Sequence, residues 1–247
     1  MNILTFQSTE ELNEAGAGII VSLLQTKPDA VLGLATGGTP VGVYEQLVKS
    51  YKKGLVSFKK ATSFNLDEYV GLPREHEQSY YTYMKENLFN HVDLPAEQIH
   101  IPDGNAPDPE AECRQYEEKL AKAKQIDLQI LGLGHNGHIG FNEPDHALVS
   151  GTHVVKLQEE TLRANARYFD SIEEVPKLAI TMGVGMILKA KTILLIVRGE
   201  DKAKIVHEAL TGPIRTELPA SLLQTHPNLV VMLDNAASRY FQDQEHI

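Results

Sequence analysis

Short, largely apolar runs alternate with longer amphipathic stretches along the whole chain. The runs lie at residues 1–6, 30–35, 61–66, 128–133, 192–197 and 229–233. Runs this short, bounded by glycine or polar residues, predict buried strands rather than helices. Between them the spacing predicts helices over residues 8–25, 41–50, 79–88, 109–124 and 202–210. Ser8 and Glu11 open the first of these as a capping-box pair. Residues 175–188 are mostly apolar and read as a further helix, although glycines within them disfavour one. Strands alternating with helices predict an α/β fold, an open and mostly parallel sheet with helices on both faces. No repeat, low-complexity tract or linker interrupts the pattern. The polar loop at 102–109 is too short for a boundary, so one domain over residues 1–247 is expected.

Composition adds little to this picture, but charge narrows it. The chain has 247 residues, of which 42% are hydrophobic and 23% charged, an ordinary globular profile. Its net charge of −10 argues against a nucleic-acid partner, which needs a basic footprint. An anionic ligand would have to be held by local cations against that field. Cys113 is the one cysteine and has no partner for an internal disulfide. With no signal-like N-terminus, a reducing, cytoplasmic location is expected. No apolar run approaches membrane-spanning length.

Candidate chemistry gathers where predicted strands end. After the second run come Thr36, Gly37, Gly38, Thr39 and Pro40. The glycines expose backbone N–H groups, and a helix start adds positive potential. Thr39 is expected as the cap and Pro40 as the first helical residue. The loop is therefore either a phosphate cradle or simply a tight turn with a good cap. After the third run come Asp67 and Glu68. A carboxylate there is either a proton-transfer base or a surface turn residue. After the fourth run, glycines 132, 134, 137 and 140 surround His135, Asn136 and His138, and Glu143 follows. A carboxylate that fixes an imidazole makes it a better acid or base. Metal ligation by His135, His138 and Glu143 is the competing reading, but the spacing matches no standard zinc motif. His135 and His146 otherwise read as surface histidines. Arg167 and Lys202 are either solvated charges or the cations that an anionic ligand requires.

The ordered motifs LGLATGGTP, FNLDEY, GLGHNGHIGFNEP, ANARYFD and VPKLAITMGVG together resemble the glucosamine-6-phosphate deaminases, over essentially the whole chain. That resemblance implies a modified Rossmann-like sheet, as in ribose-5-phosphate isomerase. It implies conversion of D-glucosamine 6-phosphate and water to D-fructose 6-phosphate and ammonia, without metal or organic cofactor. Thr36, Gly37, Gly38 and Thr39 would then bind the phosphate with Arg167 and Lys202. His138, oriented by Glu143, would open the sugar ring, and Asp67 would move the proton between C2 and C1. Residues 153–182 resemble the family's mobile lid.

Two positions depart from the pattern. Many members carry Asp where this chain has Asn136, so Asn136 is expected to act as a hydrogen-bonding partner without charge. Members activated by N-acetylglucosamine 6-phosphate carry Arg and Lys where this chain has His153 and Val155. No such activation is expected, and a monomer is expected, with a hexamer as the alternative. The rival readings are a 6-phosphogluconolactonase and a non-catalytic sugar-phosphate sensor. The lactonases show DER and an SLFP-like segment where this chain has Asp67-Glu68-Tyr69 and Phe141-Asn142-Glu143-Pro144. A sensor would have no need of Asp67, His138 and Glu143.

Overall fold

A computed structural model describes residues 1–242. Seven strands form one parallel sheet: β1 (Asn2–Phe6), β2 (Val31–Leu34), β3 (Thr62–Asn65), β5 (Ile99–His100), β6 (Leu128–Leu131), β9 (Thr192–Val197) and β10 (Leu229–Asp234). Their order is β1-β10-β9-β6-β2-β3-β5. Three shorter strands, β4 (Asp67–Tyr69), β7 (His153–Lys156) and β8 (Leu178–Thr181), form an antiparallel sheet in the order β4-β8-β7.

The α-helices among the described residues are α1 (Thr9–Thr26), α2 (Val41–Lys52), α3 (Tyr80–Asn87), α4 (Pro109–Lys122), α5 (Glu159–Asn165), α6 (Val184–Leu188), α7 (Ala203–Thr211) and α8 (Arg239–Gln242), and short 3-10 turns join the elements. The central strands are buried along almost all their length because helices cover the sheet, which is why they read as largely apolar runs. One large core surrounds this sheet. A smaller cluster of Tyr69, Phe141, Leu157 and Ala179 lies under the antiparallel sheet.

The sheet changes direction between β2 and β6. From β2 the chain adds β3 and β5 on one side; from β6 it adds β9 and β10 on the other. Such a switch point opens a crevice at the carboxyl ends of the strands. The glycine loops after β2 and β6 both border it.

The expected α/β fold is present, with two local corrections. Residues 175–188 are not one helix: β8 and α6 occupy them, separated at Met182 and Gly183. Gly183 explains the break. A Cβ there would lie 2.2 Å from the Gly151 carbonyl oxygen and 2.5 Å from that of Ser150, so another chain segment passes where a helix would need room. Helix α2 begins at Val41, as the spacing predicts, but its cap differs from the expected one. Pro40 holds the cap position, and no side chain bonds to the helix start, so Thr39 does not cap it.

At the opposite end of the sheet, Asp127 ties three chain segments together. It is only 5% exposed and accepts hydrogen bonds from Lys27 Nζ (2.5 Å), Lys191 Nζ (2.7 Å) and the Val31 amide (2.8 Å). Burial opposes its charge, but these donors outweigh that and hold the carboxyl below its usual range. A depressed folded-state pKa contributes stability above the unfolded value, lost as pH falls through the folded one. Both lysines are partly exposed, which limits the gain. Asp127→Asn should therefore cost about 1–3 kcal/mol at pH 7, and the difference should close in strong acid. Urea unfolding at both pH values reads this; equal stability at pH 7 would contradict it.

Candidate active site

The crevice at the switch point is an open cleft of about 390 Å³. Nine of the ten residues expected from sequence line it: Thr36, Gly37, Gly38, Thr39, Asp67, Asn136, His138, Arg167 and Lys202. Glu143 lies behind it. Arg198, Asp201 and Tyr80 also line it.

The loop after β2 is held in shape from several directions. Tyr44 of α2 donates its hydroxyl to the Ala35 carbonyl at 2.6 Å, fixing the end of the strand. Gly37 has φ +90°, a conformation that suits glycine. Lys202 and Arg198 come from the segment that follows β9, and Arg167 from a 3-10 turn, Ala166–Tyr168. Arg167 stacks its guanidinium over the Tyr168 ring, 4.9 Å from its centroid. Lys202 donates to the Leu133 carbonyl at 2.9 Å, and burial lowers its pKa to about 8. Three cations therefore border the cleft of an acidic protein.

Asp67 begins β4, where the chain leaves the parallel sheet for the antiparallel one. Tyr116 fixes that exit by donating to the Asn65 carbonyl at 2.6 Å. Asp67 is 6% exposed, and its carboxyl is pushed up to about 8, first by burial and then by Glu68. A Cβ on Gly140 would lie 3.6 Å from Asp67 Oδ2, an ordinary contact distance, so the loop after β6 packs beside the carboxylate. Glu68 points elsewhere. It accepts from the amides of Tyr69 (2.9 Å), Tyr80 (3.0 Å) and Tyr81 (3.0 Å), which anchors the start of α3. Burial raises its pKa to about 7 despite these donors and Arg74.

His138 packs its ring against Gly134, where a Cβ would meet the imidazole at 2.2 Å. Its Nδ1 bonds to Asn136 Oδ1 at 2.7 Å, and its own backbone N–H donates to the same oxygen at 3.2 Å. The backbone donor establishes that atom as the amide oxygen, an acceptor only, so Nδ1 carries the proton. Nε2 is left with its lone pair. Burial, with Lys202 and His135 nearby, lowers the His138 pKa to about 4. The ring is thus a neutral base at physiological pH.

The expectation that Glu143 orients His138 is corrected here. Glu143 accepts from the Gln158 amide at 2.9 Å and from the Thr161 hydroxyl, both at the start of α5. The chain turns at Gly140 (φ +57°), which separates two side chains that are close in sequence. Asn136 takes the orienting place. His135 bonds Asp201 at 2.7 Å, so the three candidate metal ligands engage different partners. Among the described residues, no three His, Cys, Asp or Glu side chains gather as a metal would require.

Sequence reasoning passed over Tyr80 and Arg198. Arg198 carried a usable signal, a cation at a strand's carboxyl end beside a glycine. Tyr80 carried none, since its hydroxyl reaches Tyr69 and Thr36 only through the folded chain.

Comparisons with known proteins show what this chain is similar to. Residues 7–231 match the family model described as glucosamine-6-phosphate isomerases/6-phosphogluconolactonase. A glucosamine-6-phosphate deaminase from Halothermothrix orenii is 50% identical over 238 residues, covering 96% of this chain and 99% of that protein. One from Thermoanaerobacter pseudethanolicus is 47% identical over 245 residues, covering 99% and 97%. A solved monomeric glucosamine-6-phosphate deaminase superposes with a TM-score of 0.94 at 47% identity, covering 97% of this chain and 99% of that one. A 6-phosphogluconolactonase from Thermotoga maritima shares the fold at 22% identity, with a TM-score of 0.74 and 95% and 99% covered. On sequence and on structure alike, this chain belongs to the glucosamine-6-phosphate isomerase/6-phosphogluconolactonase family.

Proposed function

We infer that this chain converts D-glucosamine 6-phosphate and water to D-fructose 6-phosphate and ammonia, an aldose–ketose isomerisation with loss of the amine. One observation carries the reading. A buried carboxyl, Asp67, and a neutral imidazole, His138, face the same cleft as a glycine loop flanked by cations. Two separate proton transfers need two separate groups, and a phosphate anchor holds the sugar in register with both.

In this reading the amides of the loop after β2 receive the phosphate, with Arg167 and Lys202 adding charge. His138, through Nε2, moves a proton between the anomeric hydroxyl and the ring oxygen, opening the ring. Asn136 holds the imidazole in that tautomer. Asp67 removes the C2 proton and returns it to C1 through a cis-enediolamine. The resulting imine at C2 takes up water and releases ammonia. Residues 153–182 serve as a lid over the enediolamine, and Glu143 holds that segment through Gln158 and Thr161. A monomeric enzyme without activation by N-acetylglucosamine 6-phosphate fits the departures at His153 and Val155. The monomeric state of the solved relative supports the same assembly. Among the described residues, no helix is long and apolar enough to cross a membrane.

Incubation with glucosamine 6-phosphate should release ammonia and fructose 6-phosphate in equal amounts. Hydrolysis of 6-phosphogluconolactone instead would favour the lactonase. Asp67 must lose its proton to act as a base, and its pKa lies near 8, so kcat/KM should rise with pH towards about 8. It should fall above that as Lys202 loses its charge. Glu68→Gln should move the rising limb to lower pH by removing the neighbouring negative charge; an unmoved limb would contradict the coupling. Arg167→Ala should raise KM about tenfold or more with a smaller change in kcat. An unchanged KM would remove Arg167 from the phosphate site.

A further inference from the structure

Two side chains outside the acid–base set grip the carbonyls of the glycine pair. Tyr83, on α3, donates its hydroxyl to the Gly37 carbonyl at 2.7 Å. Arg198, immediately after β9, donates through Nη2 to the Gly38 carbonyl at 2.6 Å. These contacts reach across 46 and 160 residues of sequence, from opposite sides of the switch point. We propose that Tyr83 and Arg198 are positioning residues for phosphate recognition, which set the Gly37–Gly38 peptides so that the loop's amides meet the ligand. This rests on the reading of the loop as the phosphate site.

Peptide geometry links these two contacts to the ligand. In a trans peptide the carbonyl and the following N–H point in opposite directions, and no peptide here is cis. Tyr83 does not line the cleft. Its bond therefore draws the Gly37 carbonyl away from the cleft and turns the Gly38 N–H towards it. Arg198 does line the cleft. It covers the Gly38 carbonyl, whose negative end would otherwise repel an anion, and it adds a full positive charge at the rim. Among the described residues, the amides of Gly37 and Gly38 have no hydrogen-bond partner, so the Gly38 N–H turned towards the cleft remains available to a ligand.

Two adjacent glycines are also the most mobile arrangement a loop can have. They admit the phosphate but leave the peptide planes free to flip, and each flip would present a carbonyl in place of an amide. Two long-range donors remove that freedom before the ligand arrives. Burial, with Tyr168 adjacent, holds the Tyr83 hydroxyl well above its usual range, so it stays protonated and a donor at every working pH.

The test compares Tyr83→Phe, Arg198→Met and Arg198→Lys with the wild type. The readouts are kcat and KM for glucosamine 6-phosphate, inhibition by inorganic phosphate, and thermal melting. Tyr83→Phe keeps the ring and removes only the hydroxyl. It should raise KM and the phosphate inhibition constant together, by about fivefold to tenfold, since one hydrogen bond is lost. Its kcat should stay within about twofold and its melting temperature near wild type. Arg198→Met should weaken phosphate inhibition further, and Arg198→Lys should recover part of the loss through its charge. Unchanged KM and inhibition in both Tyr83→Phe and Arg198→Met, with phosphate still competing in the wild type, would overturn the positioning role alone. A wild type that phosphate does not inhibit at all would overturn the phosphate site together with it.

Discussion

The reversal of strand order between β2 and β6 is the constraint on which the rest of the site depends. Parallel strands deliver their carboxyl ends to one rim, and the reversal leaves a gap between the two chain paths. The loop after β2 then faces the loop after β6 across that gap. The segments that follow β3 and β9, their outer neighbours, supply Asp67 on one side and Arg198 and Lys202 on the other. Residues far apart in sequence are thereby held by strands rather than by the loops themselves. That rigidity matters for a reaction in which a proton must return to the carbon next to the one it left.

Within that frame the electrostatics are divided. Loop amides and three cations supply positive groups to a cleft that Glu160 and Asp201 also line, in a protein of net charge −10. Beside these groups, burial keeps the proposed acid–base pair in unusual states, Asp67 with a raised pKa and His138 as a neutral ring. Asn136 fits this division. It fixes the imidazole through an uncharged oxygen, whereas a carboxylate there would favour the charged ring. Glu143, which an adjacent motif placed beside His138, instead holds the start of α5 and so ties the loop after β6 to the proposed lid.

Much of this was legible because the chemistry sits where strands end. Thr36 to Thr39, Asp67 and the loop around His138 each follow an apolar run, and glycine marks two of the three sites. What escaped had no periodic signature. β4 and β7 are three and four residues long, too short to alternate visibly. Residues 175–188 hide a strand and a helix in one apolar stretch, because both elements are buried and neither needs a polar face. The distance between His138 and Glu143 was misjudged because a turn at Gly140 redirects the chain. Tyr83 and Arg198 act on backbone carbonyls, and a carbonyl leaves no trace in sequence.

The central claim is that one buried carboxyl, Asp67, carries the proton between C2 and C1. It is tested most directly by incubating Asp67→Asn with glucosamine 6-phosphate in deuterated water and following the C2 proton by NMR. Wild-type enzyme should exchange that proton with solvent. The variant should show no exchange above background, while inorganic phosphate and substrate still bind. Exchange that persists in Asp67→Asn at a rate near wild type would show that another group is the base, and the division of roles between Asp67 and His138 would fall with it.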